Sequence, residues 1–404
     1  MIFKNLVKLG DFVTIKHGYA FPGKFITSQE TKKILVTPGN FNIGGGFKSS
    51  KFKYYSGVTY PEQYRFNGGE LIVTMTDLSK ETDTLGYAAL VPNDNNIYLH
   101  NQRVGLVQIL NDDLDKMYLY WKMRTREYQE FIANSASGTS VMHTSPKKIC
   151  DYEFLLPTKL EQKAIASVLS SLDEKIDLLH HQNKTLELMA ETMFRQWFIL
   201  DETGASVNLE QIIDFNPKRT LTKSQDATYL DMAGLSTDIF RATGYYKRPF
   251  SSGTKFTKRD TLLARITPCL ENGKAAYVDF LDNNETGWGS TEFIVMRPKK
   301  EIHPMISYIM CRNPDFKEYA ESCMEGSTGR QRVNLDYLKK FNVNLPTGAS
   351  LRKINELLDS FESKLINNSK QIDSLEKLRN TLLPKLMSGE VRVQYAENAI
   401  ASVA

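Results

Sequence analysis

The chain has 404 residues, of which 41% are hydrophobic and 24% charged, with a formal net charge of +4. This length predicts two or three domains with their own cores, and the small positive charge is compatible with an anionic partner. The four cysteines have no CxxC or other close metal spacing, which indicates buried thiols in a reducing compartment. The N-terminus does not resemble a signal peptide and no apolar run reaches the length of a membrane span, so we expect a cytoplasmic protein without membrane contact.

The first 158 residues show an α+β pattern. A helix is predicted at about Lys116 to Asn134, followed by a loop at Gly138-Thr139 and a second helix start at Ser145-Pro146. Short β-rich runs separated by Gly and Asn/Asp turns precede them, at Ile34–Thr37, Leu71–Met75, Ala88–Pro92 and Arg103–Leu110.

A long helix is predicted from Lys159 to Phe198. Apolar residues recur along it at alternating spacings of four and three, and only Asn183 interrupts them. About 40 residues without Pro or Gly would span roughly 60 Å. A single surface helix rarely needs that length, so we expect it to pair with a similar helix.

The second half repeats the order of the first. Strands are predicted at Thr228–Met232, Thr261–Ile266, Ala275–Phe280 and Phe293–Arg297, then a helix at about Pro304 to Met324. A helix start at Asn334 follows a Ser/Thr/Gly loop, as at Ser145 in the first half.

A second heptad stretch, Leu351 to Met387, aligns with the first without a gap. Leu156-Pro157-Thr158 falls on Leu345-Pro346-Thr347, and the run from Gly86 to Ala89 resembles that from Gly273 to Ala276. The chain is therefore one unit of about 190 residues written twice. Pro384 is predicted to shorten the last helix, Glu390–Val393 to form a strand, and the tail to be disordered.

The predicted fold is α+β, with two α/β domains separated by two long helices in an antiparallel coiled coil and pseudo-twofold symmetry. An antiparallel pair would hold the two domains at opposite ends of a rod. The predicted segments are the first domain, its helix, the second domain, its helix, and a C-terminal strand and tail: 1–158, 159–200, 201–347, 348–389 and 390–404.

Motifs for catalysis are missing from the sequence. There is no GxxxxGK[ST] loop for nucleotide hydrolysis, and no arrangement of a nucleophile with a base. Asp77, Lys80 and Glu81 have the residue types of a nuclease site, but a solvated loop is the simpler interpretation. We expect no catalytic residue and no metal site in this chain.

The duplicated domain-plus-helix unit resembles the specificity subunit of type I restriction–modification enzymes. Arg195-Gln196-Trp197-Phe198 is similar to the family's central conserved region, and Leu382–Val393 to its C-terminal counterpart. The family's helix start is similar to Leu156-Pro157 followed by Leu160-Glu161-Gln162. Its N-terminal start is similar to Leu9-Gly10-Asp11. A segment of its recognition domains resembles Gly289–Phe293. The second helix departs from the pattern with Ala349-Ser350-Leu351.

The resemblance implies a non-catalytic subunit in which each domain reads one half of a bipartite, asymmetric site in double-stranded DNA. The helices would set the spacer between the half-sites and dock two adenine methyltransferase subunits, joined by endonuclease/translocase subunits. The chain itself would carry no cofactor, with S-adenosylmethionine, ATP and Mg on the partners. The partner-binding candidates are Arg195, Trp197, Phe198, Lys385 and Leu386.

Candidate DNA-binding residues are those whose side chains read base edges or contact phosphates. In the first domain they are Lys48, Lys51, Lys53, Asn101, Gln102, Arg103 and His143. In the second they are Arg265, Ser290, Thr291, Arg330, Gln331 and Arg332.

Two alternatives remain at this stage. The helices alone fit a non-enzymatic coiled-coil scaffold that binds protein partners equally well. A self-contained nuclease or methyltransferase lacks every motif that it needs. Salt-sensitive binding to duplex DNA would distinguish the DNA reader from the scaffold.

Overall fold

A computed structural model of the chain describes residues 5–77, 84–138, 141–237, 239–327 and 329–394. Packing divides the chain into two compact units, and the bounds of the five predicted segments remain a prediction. Unit 1 contains Met1–Lys175 and Ser374–Ala404, and unit 2 contains Ile176–Asp373. Each long helix is therefore shared between the units. No helix among the described residues is long and apolar enough to cross a membrane.

Among its described residues, the first domain contains three short α-helices and many short strands. The strands are β1 (Asn5–Lys8), β2 (Val13–His17), β3 (Ile26–Thr27), β4 (Lys33–Val36), β5 (Lys53–Tyr55), β6 (Leu71–Thr74), β7 (Thr76–Asp77), β8 (Ala88–Leu90), β9 (Ile97–His100), β10 (Val104–Ile109), β11 (Met142–His143) and β12 (Glu153–Leu156). The helices are α1 (Lys116–Lys122), α2 (Arg126–Ser135) and α3 (Pro146–Cys150), and the long helix α4 (Lys159–Phe194) follows.

The second domain repeats this order. Its strands are β13 (Ala205–Asn208), β14 (Ile213–Phe215), β15 (Asp226–Leu230), β16 (Tyr246–Pro249), β17 (Thr254–Thr257), β18 (Thr261–Ala264), β19 (Ala275–Tyr277), β20 (Thr286–Gly289), β21 (Phe293–Pro298), β22 (Met324–Glu325), β23 (Arg332–Val333) and β24 (Asn342–Leu345). Its helices are α5 (Leu209–Ile212), α6 (Met305–Arg312), α7 (Pro314–Ser322) and α8 (Leu335–Leu338), followed by α9 (Gly348–Ser388).

Two sheets of the first domain have direct counterparts in the second domain. The antiparallel sheet β2-β10-β6-β8 has its counterpart in β14-β21-β18-β19, and the two-stranded antiparallel sheet β1-β12 in β13-β24. The sheets β3-β5-β4-β9 and β16-β15-β20-β17 each contain one parallel pair, β4 with β9 and β15 with β20. The prediction of a mixed α+β fold is confirmed, and the sequence repeat is a repeat of structure.

Each helix predicted before the Gly/Ser/Thr loop is two helices. Thr125 accepts a hydrogen bond from the Tyr128 N–H and starts α2, and Asn313 accepts one from the Phe316 N–H before Pro314 and starts α7. Thr125 and Asn313 are thus N-caps. A new helix starts at each of them, so the preceding helix ends there. The predicted caps Ser145 and Asn334 are confirmed at the starts of α3 and α8.

The C-terminal end of α9 differs from its prediction. Pro384 lies inside the helix, which continues to Ser388, so it does not shorten α9. Gly389 has φ +79° and ends the helix, because a left-handed residue breaks the hydrogen-bond ladder. The Val391 N–H donates to the Lys385 carbonyl at 3.2 Å, and residues 390–393 form no strand. The tail that is predicted to be disordered lies outside the described residues, which end at 394.

The two long helices run antiparallel in unit 2. Asn368 Nδ2 of α9 donates to Asn183 Oδ1 of α4 at 2.8 Å. Asn344, just before α9, donates to the carbonyl of Ile199, just after α4, at 3.2 Å. Later residues of one helix thus meet earlier residues of the other. In unit 1, Asp173 of α4 forms an ion pair with Arg379 of α9.

Candidate nucleic-acid interface

The turn after β20 places Ser290 and Thr291 at the edge of the second domain. Ser290 Oγ accepts a hydrogen bond from the Glu292 N–H at 3.1 Å, which closes the turn. The Glu292 carbonyl then accepts from the Arg265 N–H at 3.0 Å, so the turn is joined to the residue that follows β18. Thr291 is exposed, whereas Ser290 and Arg265 are half-buried.

The segment Arg330–Arg332 lies against the same edge. The Gln331 N–H donates to Thr267 Oγ1 at 3.1 Å, and Arg332 forms an isolated bridge with Ile266. Arg332 pairs with Glu292, and this guanidinium lowers the pKa of the Glu292 carboxyl. The structure thus brings together Arg265, Ser290, Thr291, Gln331 and Arg332, five of the six residues predicted for this domain. Arg330 is exposed on the adjoining turn.

The first domain has the same arrangement of a turn, a backbone hydrogen bond and a bridge, which we call the frame, with different side chains. Asn101 Oδ1 accepts from the Arg103 N–H at 3.0 Å, as Ser290 Oγ does from Glu292. The Arg103 carbonyl accepts from the Met75 N–H at 3.0 Å, as that of Glu292 does from Arg265. His143 pairs with Thr76 as Arg332 pairs with Ile266. Asn101, Arg103 and His143 are thus structurally equivalent to Ser290, Glu292 and Arg332, and the offset in residue number is the one that places Pro157 on Pro346.

The predicted lysines of the first domain lie elsewhere. Lys53 is on β5, which is two strands from β9 in the sheet β3-β5-β4-β9, and β9 leads into Asn101. Lys48, Lys51 and Lys53 are all exposed. Lys53 is therefore on a different strand from the one that leads into Asn101, and contact of the three lysines with DNA remains a prediction.

Asp77, interpreted from the sequence as part of a solvated loop, is a buried residue on β7. Its side chain is 3% exposed and accepts hydrogen bonds from the Thr84 N–H and Oγ1, both at 2.7 Å. The solvated-loop interpretation is therefore wrong for Asp77. Lys80 and Glu81 lie outside the described residues.

Two of the five partner-binding candidates are core residues. Phe198 is fully buried and stacks on Phe194 with ring centroids 5.1 Å apart, and Leu386 is also fully buried. Both side chains support the core of this chain, and their partner-binding role remains a prediction. Arg195 is exposed near Asp315, Trp197 packs partly buried against the core of unit 2, and Lys385 pairs with Glu390.

Residues 195–200 form a π-helical turn, in which the Asp201 N–H donates to the Gln196 carbonyl. This wider turn follows α4 directly and contacts β24 of unit 2. The motif that resembles the family's central conserved region therefore covers the sheet β13-β24 of the second domain. Its role in the fold was not apparent from the sequence.

Sequence reasoning missed the buried polar residues that attach the domains to the helices. Gln162 is 1% exposed and bonds to the backbone of Asp113, Asp115 and Pro157. Arg124 donates to Asp173 of α4 and stacks over Trp121 with its Cζ 4.3 Å from the ring centroid. The available signal in the sequence is the helix start Leu160-Glu161-Gln162, which contains this glutamine.

One cluster has the residue types of a metal site. His303, Asp359 and Glu362 place one ligand atom each within 4.8 Å of one another. Arg259 already pairs with Glu362, and the two hydrogen-bond through the guanidinium. The Met305 N–H donates to His303 Nδ1, so Nε2 carries the ring proton and donates to Asp359 at 3.0 Å. A protonated nitrogen beside a guanidinium does not suit a metal ion. The cluster instead attaches α9 to the second domain.

The chain contains two copies of one fold, and each copy is followed by a long helix. Each copy also presents polar side chains at an equivalent edge. This arrangement defines a class of paired recognition proteins. Residues 4–188 and 202–377 match the family described as type I restriction modification DNA specificity domain. The chain belongs to this family. The predicted assignment is confirmed, and with it the assignment of DNA specificity to this chain.

Relatives agree with this family assignment, and a solved structure shares the fold. The chain is 25% identical over 343 residues to the type I restriction enzyme MjaIX specificity subunit of Methanocaldococcus jannaschii, covering 77% of this chain and 76% of that subunit. It is 28% identical over 217 residues to the EcoEI specificity subunit of Escherichia coli, covering 50% of this chain and only 35% of that subunit. The crystal structure of the S subunit of the type I system from M. genitalium superposes with a TM-score of 0.57 at 19% identity, covering 95% of this chain and 96% of that chain.

Proposed function

We propose that this chain is the DNA specificity subunit of a type I restriction–modification complex, in which each domain reads one half of a bipartite, asymmetric site. The observation that carries the proposal is the shared frame with different side chains: Asn101, Arg103 and His143 in one domain, Ser290, Glu292 and Arg332 in the other. Base edges are read by side chains of these types, so equivalent frames with different residues would read different sequences.

The proposal extends to the partners. Two copies of an adenine methyltransferase subunit would bind the helices, and an endonuclease/translocase subunit would join them in the cytoplasm. These partners would carry S-adenosylmethionine, ATP and Mg, and this chain would carry no cofactor. Support comes from the family and from the exposed residues Arg195 and Lys385 near the helix ends.

Methylome mapping tests this function. The chain is co-expressed with the methyltransferase subunit of the same host, and modified adenines are mapped genome-wide. We expect one asymmetric motif of two short sequences separated by unread bases. A change of Asn101 and Gln102 to Ala should alter only one half-site, and Lys317→Ala, which removes a partly exposed side chain of α7, serves as the control.

Salt dependence separates DNA reading from a protein scaffold. Affinity of the complex for a duplex that contains the motif should fall steeply between about 50 and 200 mM salt, because phosphate contacts release counterions. Lys48→Ala with Lys51→Ala should lower affinity for every sequence without changing the motif. Salt-insensitive binding, or methylation without a defined motif, would contradict the proposed function.

A further inference from the structure

One arginine at the second domain's edge is held by a carboxylate in a defined orientation. Arg332 Nε lies 3.0 Å from each oxygen of Glu292, and Nη2 lies 2.6 Å from Oε1. The carboxylate thus binds the side of the guanidinium formed by Nε and Nη2. Of the five N–H donors of an arginine, three then remain, two on Nη1 and one on Nη2. They form the outer end of the side chain.

Both partners of this pair are fixed through their backbones. The Glu292 N–H donates to Ser290 Oγ and its carbonyl accepts from the Arg265 N–H. Arg332 lies between its bridge to Ile266 and the bond from the Val333 N–H to the Arg265 carbonyl at 2.9 Å. An exposed ion pair normally contributes little, because two long side chains must be ordered. Here the Glu292 side chain is only 21% exposed, and the Arg332 side chain remains 55% exposed.

Two parallel N–H donors at the end of a guanidinium match the O6 and N7 acceptors of guanine, and they also match two phosphate oxygens. The Glu292 carboxylate distinguishes these ligands. It partly cancels the charge of Arg332 and repels an approaching phosphate, while hydrogen bonds to the neutral acceptors of a base are retained. Arg330, exposed on the adjoining turn, has no ion-pair partner among the described residues and suits a phosphate better.

We propose that Arg332 reads a guanine in the half-site of the second domain, and that Glu292 is the positioning residue that orients it. This inference rests on the proposed function and gives it a specific base. The first domain differs at both positions, with Arg103 in place of Glu292 and His143 in place of Arg332, two groups that form no such ion pair. We therefore expect this type of guanine contact in the second half-site and no equivalent contact in the first.

Methylome mapping of variants of the full chain, co-expressed with the methyltransferase subunit, tests the assignment. Arg332→Ala should abolish discrimination at one guanine position of one half-site, a loss of roughly ten- to hundredfold against the other bases. Arg332→Lys should lose most of it as well, because an ammonium cannot donate in a bidentate fork. Glu292→Gln should weaken discrimination at that same position, and Glu292→Asp should restore part of it. Lys317→Ala is the control.

The unaffected half-site reports on folding and on the proposed function within each variant. If Arg332→Ala lowers methylation equally at all sequences, keeps the motif and reduces the slope of affinity against salt by about one, Arg332 contacts phosphate and the inference is wrong. If Glu292→Gln leaves the motif and its relative occupancy unchanged, Glu292 does not position Arg332. A wild-type complex that modifies no two-part motif would instead refute the proposed function.

Discussion

Single buried polar residues determine how the second domain is attached to the helix before it. Glu187 lies on α4 and is 6% exposed. Its carboxylate accepts hydrogen bonds from the Tyr308 hydroxyl at 2.8 Å and from the Phe240 N–H at 3.2 Å. Arg312 donates to the same Tyr308 hydroxyl at 3.0 Å. Burial nevertheless raises the pKa of Glu187 to about 7, since these groups only partly replace water.

This carboxyl makes stability depend on pH. Between pH 4.5, its ordinary pKa, and about 7, the folded protein retains a proton on Glu187 that the unfolded chain releases. The free energy of unfolding therefore decreases as pH rises through this range, by up to roughly 3 kcal/mol, and is constant above it.

Thermal unfolding measures this effect. Glu187→Gln, which carries no charge at any pH, should flatten the profile of the melting midpoint between pH 5 and 8 and be more stable than wild type at pH 8. Glu210→Gln, at an exposed glutamate in the same unit, should leave the profile unchanged. A wild-type midpoint that rises from pH 5 to pH 7 relative to Glu187→Gln would show that Glu187 stays ionised in the folded protein.

At the scale of elements, the register of the two long helices depends on a polar pair. The one polar interruption that the sequence shows in the first seam, Asn183, bonds to Asn368, which is fully buried. Among the described residues, Asn368 Oδ1 has no hydrogen-bond partner. A buried polar pair of this kind costs stability and disfavours other registers, because any shift would leave both amides unpaired.

Disulfide formation tests the pairing. Asn183→Cys combined with Asn368→Cys should crosslink within one chain under mild oxidation, since the two side chains are in hydrogen-bond contact. Asn183→Cys with Lys353→Cys should not, because Lys353 lies about 22 Å back along α9. The readout is a mobility shift in non-reducing gels. Crosslinking of the second pair in preference to the first would contradict the antiparallel register of unit 2.

At the scale of the whole molecule, both long helices pass from one unit into the other. Residues 159–175 of α4 belong to unit 1 and residues 176–194 to unit 2, without a break in the helix. We propose that the length of these helices sets the number of unread bases between the half-sites. Because Asn183 pairs with Asn368, an insertion in one helix alone would disturb the register in unit 2.

Paired insertions test this role. Four residues placed after Asn183 and four placed before Asn368 add roughly 6 Å and about 40° beyond one full turn to each helix. One base pair advances about 3.4 Å, so the spacer should lengthen by one or two pairs while both half-sites stay the same. The insertion is a stutter, which a coiled coil tolerates. Methylome mapping provides the measurement.

The control is a four-residue insertion after Thr203, in the exposed turn that follows α4. It adds the same length of chain without lengthening a helix, and the spacer should stay the same. Full methylation with an unchanged spacer in the paired-insertion variant would mean that the helices do not set this distance.

Much of this protein follows from its sequence by itself. The seams of α4 and α9, the caps at Ser145 and Asn334, the eight predicted strands and the duplication are properties of short stretches or of their repetition, and the structure confirms them. Periodicity and capping act over a few residues, so they can be recognised without knowing what packs nearby. The family resemblance rests on the same local motifs.

Only the tertiary structure decided which of the singled-out residues are available for recognition. Phe198 and Leu386 belong to conserved-looking motifs but are buried, and Gln162 joins a domain to its helix. The pairings of His143 with Thr76 and of Arg332 with Glu292 join residues 40 or more positions apart in the chain. Burial and pairing of this kind depend on contacts between distant segments, which leave no periodic signal in the sequence.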